Sequence, residues 1–90
     1  TLDEVQMERW YTLKGQHLLT ELVTEMNQQG FSRLSIQENG DVVVQENGKY
    51  VVKDHVLDFP QKKNWLDLKK MMMDTGIKVR INEKKMTFMW

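Results

Sequence analysis

Leu18, Leu19, Leu22, Val23 and Met26 recur at steps of three and four, the spacing that lines apolar side chains along one side of an α-helix. Upstream, Val5, Trp10, Tyr11 and Leu13 spread more widely around the same cylinder. The pattern predicts a helix from about residue 2 to 29, opened by a capping box of Thr1 and Glu4. Gly15 lies inside it, where glycine costs about 1 kcal/mol relative to alanine, so a kink or two shorter helices is the alternative. Gly30 suits the C′ position, and Phe31 then folds back on Met26.

After Gly30 the period drops to two. Leu34 and Ile36 alternate with Arg33, Ser35 and Gln37; Asn39-Gly40 predicts a type I′ turn; Val42, Val43 and Val44 form a second strand; and Asn47-Gly48 predicts a second turn of the same type. A third strand opens at Tyr50 and continues, through a bulge at Asp54-His55, towards Val56, Leu57 and Phe59, where Pro60 stops it. Asn64 is placed to cap a second helix with Asp67 in its first turn, Trp65, Leu68, Met71 and Met72 as its apolar stripe, and Gly76 as its C′ residue. Ile77, Val79 and Ile81, then Met86, Phe88 and Trp90, alternate around a turn at Asn82 to Lys85 and predict a closing hairpin. The expected architecture is α+β: two layers, a mainly antiparallel sheet in the order α-β-β-β-α-β-β, and helices on one face.

Ninety residues fit a single domain, 1–90, and the chain reads as a piece cut from something longer, with methionine removal before Thr1 as the alternative. Forty per cent hydrophobic residues argue for a globular fold, and no apolar run approaches the roughly 18 residues of a membrane span. Zero cysteines exclude disulfide scaffolds and thiolate chemistry and point to a reducing, cytoplasmic setting, although a secreted chain also fits.

Catalysis needs a nucleophile, a base and an orienting group, and two histidines, two serines and no cysteine supply little. His17 and Glu21, four apart, can share a metal only with ligands that the spacing does not offer, so a surface pair is expected. Asp54 and His55 are adjacent in an extended stretch and point apart unless a bulge intervenes. No phosphate loop, dinucleotide fingerprint or metal motif appears, and no cofactor is expected.

What remains is binding. Trp10, on the less committed half of the first helix, and Trp90, closing the last hairpin, are candidate aromatic anchors. Met73 joins them, because three consecutive helical methionines cannot all face one sheet. These three residues form the expected protein interface, to a partner or a second copy of the chain.

Net charge is zero, yet residues 1–60 carry ten acidic against five basic side chains and residues 61–90 three against eight. Lys62, Lys63, Lys78, Arg80, Lys84 and Lys85 therefore form an alternative, nucleic-acid-binding surface, against which stands a solvated dipole or two halves attracting each other. The α-β-β-β-α order, with lysines at the second helix start, resembles the topology of the double-stranded-RNA-binding domain. Here the first two strands are joined through Glu38-Asn39-Gly40, and two strands are added. The longer order is similar, in topology alone, to class I chaperones of type III secretion; fold does not fix function. The sequence leads to a non-catalytic protein-interaction domain, oligomerising or regulatory, with nucleic-acid binding as the alternative.

Overall fold

The computed structural model describes the backbone of residues 2–90 and the side chains of residues 5–90. The capping box expected of Thr1 and Glu4 rests on side chains outside the described residues. Helix α1 (Leu2–Trp10) runs through a π turn (Tyr11–Gly15) into α2 (Gln16–Gln28), so the helical run is continuous through Gly15. A π turn closes i→i+5 bonds and brings residue 15 into line with residue 10. The Trp10 ring lies across Gly15, where an added Cβ would fall 2.5 Å from Trp10 Cζ3. The glycine is thus explained by the ring that covers it.

The rod ends as its sequence predicts. Gly30 has φ +94°, Phe31 N–H donates to Met26 O at 3.0 Å, and Gly30 N–H donates to Asn27 O at 3.1 Å, the two bonds of a Schellman motif.

Five strands follow: β1 (Arg33–Gln37), β2 (Asp41–Glu46), β3 (Lys49–His55), β4 (Lys78–Ile81) and β5 (Lys85–Met89). All neighbours are antiparallel, in the order β3-β2-β1-β5-β4. The two hairpin turns differ. Asn47 (φ 53°) and Gly48 (φ 78°) both take positive φ, as type I′ requires. Between β1 and β2 only Gly40 does (φ +95°), and Gly40 N–H donates to Gln37 O at 2.9 Å. That is a three-residue loop in which a turn is followed by a left-handed glycine, not the type I′ turn expected. Asn39 instead accepts the Asp41 N–H on its side chain at 2.9 Å.

Strand β3 stops at His55, short of the expected Phe59, and its bulge falls opposite Val42 and Val43, around Lys53. Val56 N–H still donates to Gly40 O at 2.8 Å, after which the chain leaves the sheet. Pro60 therefore does not end a strand; its carbonyl accepts the Trp65 Nε1–H at 3.0 Å and satisfies the polar end of a fully buried ring.

The second helix is shorter than its pattern suggests: 3₁₀ turns at Lys62–Asn64 and Met73–Thr75 flank α3 (Trp65–Met71). Asn64 makes no side-chain cap bond and is buried instead. Gly76, at φ +83°, takes the expected left-handed position.

Both helical segments cover one sheet face. There Leu34, Ile36, Val42, Val44, Met86 and Phe88 meet Leu19, Leu22, Met26, Trp65, Leu68 and Met72 in one core. Burying each such side chain contributes roughly 1.5–3 kcal/mol. Among the described residues no helix lies on the opposite face. Its centre is nevertheless dry: Val43 and Ser35 lie beside one another across β2 and β1, and Ser35 Oγ shares a hydrogen bond with Thr87 Oγ1 of β5 at 2.9 Å. Among the described residues no helix is long and apolar enough to cross a membrane.

Candidate functional site

Strand β4 lies at one margin of the sheet, and its alternation sets a mixed surface. Val79 and Ile81 turn towards the helical layer with Ile77, while Lys78 and Arg80 turn to the opposite face. Alongside runs α3. Its sheet-facing stripe, continued by Met72 just beyond it, is spent on Trp65 and Leu68, so Leu66 and, in the following turn, Met73 point out at 56% and 74% exposure. Between these elements is a groove of about 850 Å³, lined by Leu66, Lys69, Met73, Lys62 and Lys63 on the helix side and by residues 77 to 81 and Met89 on the strand side. Among the described residues five cations and no carboxylate line it. Lys62 reaches Glu38 at 3.9 Å; among the described residues no ion pair holds Lys69, Lys78 or Arg80.

The uncovered face of the sheet carries a second basic surface. Register brings Lys78, Met89 and Arg33 into one row and Arg80, Thr87 and Ser35 into the next. Lys85 lies on the same face and places its Nζ 3.8 Å from the centroid of the Tyr50 ring. By hydrogen bonding and by charge Lys85 holds the exposed Tyr50 phenol below its ordinary range, and Arg33 adds to the effect. Arg33 and Tyr50 do not stand out in the sequence, since they join Arg80 and Lys85 only through the pairing of β1 with β5 and of β2 with β3. The alternation of Arg33 with Leu34 was the available signal; the strand order was not.

The expected interface residues do not converge. Met73 stands in the groove. Trp10 is no exposed anchor, at 8% exposure, because its ring is laid on Gly15 and meets Phe59 edge-on with centroids 6.1 Å apart. It borders a separate hollow of about 550 Å³ between the first helix and residues 58–64. Its Nε1 has no hydrogen-bond partner among the described residues. Trp90 is half-buried at the end of α2, with Nε1–H donating to Asn27 Oδ1 at 3.3 Å.

Of the basic set, Lys62, Lys63 and Lys78 line the groove, Lys85 belongs to the open face, and Arg80 borders both. Lys84 is exposed in the β4–β5 turn.

The histidines are surface pairs. His17 Nε2 meets Glu21 Oε1 at 2.9 Å, and His55 Nδ1 meets Asp41 Oδ1 across the strands at 2.9 Å, while Asp54 accepts the His55 backbone N–H. Among the described residues no three His, Cys, Asp or Glu side chains gather as a metal site would need. Comparison with protein families, with curated proteins and with solved structures finds no match to this chain.

Proposed function

We propose that this chain is a non-catalytic protein-interaction domain whose docking surface is the groove between α3 and β4. The supporting observation is the exposure of Leu66 and Met73 opposite a strand edge, inside a concavity rimmed by cations. Adaptable apolar anchors within a charged rim are the usual anatomy of a protein-binding patch, and methionine adds a soft side chain that fits varied partners. To test this, peptides would be selected from a displayed random library on the wild-type domain and titrated against the Leu66→Asp, Met73→Asp double variant. Both side chains are largely exposed, so the variant should keep its far-UV circular dichroism while its affinity falls at least tenfold. Equal affinity for both proteins would refute the reading.

A second reading, nucleic-acid binding, is favoured by the gathering of Arg33, Arg80 and Lys85 with Tyr50 on the open sheet face. A basic sheet face with an aromatic ring is one way to hold single strands. Titration with single-stranded and duplex nucleic acid at low and physiological salt tests it, with a slope of about −0.7 or −0.9 per phosphate neutralised. The Arg33→Glu, Lys85→Glu variant, which leaves the groove intact, should then abolish binding; no binding at low salt would refute this reading.

A further inference from the structure

The groove has a backbone side as well as a side-chain side. Asn82 N–H donates to Lys85 O at 3.1 Å, and on the other flank of β5 Trp90 N–H donates to Ser32 O and Glu38 N–H donates to Lys84 O. Bonded pairs alternate along an antiparallel ladder. Continuing the alternation from Asn82 through the register of β4 on β5, Arg80 and Lys78 bond inward to Thr87 and Met89. The N–H and C=O groups of Val79 and Ile81 then point away from β5, along the groove, where the sheet order places no further strand.

We propose that the groove takes an extended, acidic segment of a partner protein as a sixth strand on β4. The proposal rests on the protein-binding reading above and specifies its occupant. Main-chain bonds to Val79 and Ile81 would supply strand pairing, and alternate side chains would supply selectivity. On the helical side the incoming residues would meet Leu66 and Met73 and must be apolar. On the open side they would meet Lys78 and Arg80 and must be acidic.

Charge also weighs against the other occupants. A second copy pairing β4 with β4 in an antiparallel sense would bring Lys78 and Arg80 against their own kind, which is unfavourable for directly opposed side chains. A phosphate backbone suits the lysines but leaves the outward carbonyls of Val79 and Ile81 without donors at strand spacing. The far edge, β3, differs in kind: its bulge around Lys53 interrupts the ladder, and Lys53 is held by Glu46 at 2.9 Å. A bulge of this sort discourages strand addition.

The probe is a synthetic heptapeptide alternating glutamate with valine, compared with its lysine-for-glutamate counterpart and with a glutamate peptide N-methylated at alternate residues along the pairing edge. Amide hydrogen exchange on the intact chain gives the site-resolved readout. Val79 and Ile81 amides should slow at least tenfold at saturation, Lys78 and Arg80 amides should change little because β5 already holds them, and the lysine peptide should not bind. The Val79→Pro variant, which removes an outward N–H and no ladder bond, should bind at least tenfold more weakly. The N-methylated peptide serves as the same test without altering the protein.

Undiminished binding of the N-methylated peptide, with chemical-shift changes at Leu66 and Met73, would overturn strand addition and leave the protein-binding groove standing. Equal binding of the lysine peptide would overturn the acidic assignment. Absence of any peptide response in the groove, together with oligonucleotide binding there, would overturn both the inference and the reading on which it rests.

Discussion

Exchanging Gly15 for alanine should destabilise this protein, against the ordinary rule for a helix interior. On propensity alone the substitution gains about 1 kcal/mol. Here the new Cβ would stand 2.5, 2.6 and 2.8 Å from three carbons of the Trp10 ring. That ring is 8% exposed and edge-on to Phe59, so moving it aside costs its packing against Phe59. Forcing an extra methyl into a packed site typically costs about 1–3 kcal/mol. Set against the propensity gain, a net loss of about 1 kcal/mol is expected, or roughly 4–8 °C in melting temperature for a domain of this size.

A double-mutant cycle isolates the cause. In a Trp10→Leu background the ring is gone, and Gly15→Ala should stabilise by about 1 kcal/mol, a coupling of about 2 kcal/mol between adjacent residues. Urea unfolding followed by circular dichroism, with the slope checked for constancy, reads all four corners. A gain of about 1 kcal/mol in both backgrounds would refute the role assigned to the π turn.

Gly40→Ala should cost about 1–3 kcal/mol, because its Cβ would meet Val56 O at 2.1 Å in a left-handed backbone, whereas Gly48→Ala, with nothing within 4 Å, should lose only about 1 kcal/mol; denaturant midpoints compare them. Ultraviolet titration of the tyrosines should resolve two classes, Tyr50 ionising below pH 10 and Tyr11, raised by burial, above it, and Lys85→Ala should move only the first upward. The stabilities run oppositely: the Tyr50 contribution is present above pH 10 and lost as pH falls through its folded value, while that of Tyr11 is present below pH 10 and lost as pH rises through its own. Ser35→Ala should cost about 1 kcal/mol by leaving Thr87 without its cross-strand partner, and Ser35→Ala with Thr87→Val should recover most of it, as equilibrium unfolding would show.

Local signals in this chain were legible where one residue type has one physical use. Gly30 with Phe31 and Met26, Asn47 with Gly48, and Gly76 all took their expected backbone states. Asn39-Gly40 did not, because the same dipeptide serves a three-residue loop when Glu38 is left out of the pairing of β1 with β2, and local spacing cannot tell the two apart. Val56, Leu57 and Phe59 read as strand since they are β formers, yet the sheet had no further partner for them beyond Gly40. Asn64 read as a cap and was buried instead beside Trp65. Gly15 looked like a break; only the neighbouring Trp10, five residues back, gives it a purpose, and that requires a π turn.

The candidate surface was half legible. Alternation sorted Lys78 and Arg80 from Val79 and Ile81, and the methionine run marked Met73. The β5 placement between β1 and β4 depends on pairings about 50 residues apart, so neither the company Arg33 and Tyr50 keep nor the open margin of β4 could be read from spacing.

That same placement governs how the chain acquires its shape during synthesis. The β1–β2–β3 meander is local and its hairpins close within microseconds. One side of β1, however, must wait for residues 85–89, and β4 has no route into the sheet except through them. Until that last stretch has been made, Leu34 and Ile36 face an unfinished layer. A ribosome pausing between β3 and β5 would therefore expose an incomplete sheet with two open sides, at the stage when the growing chain is most vulnerable to pairing with the wrong strand.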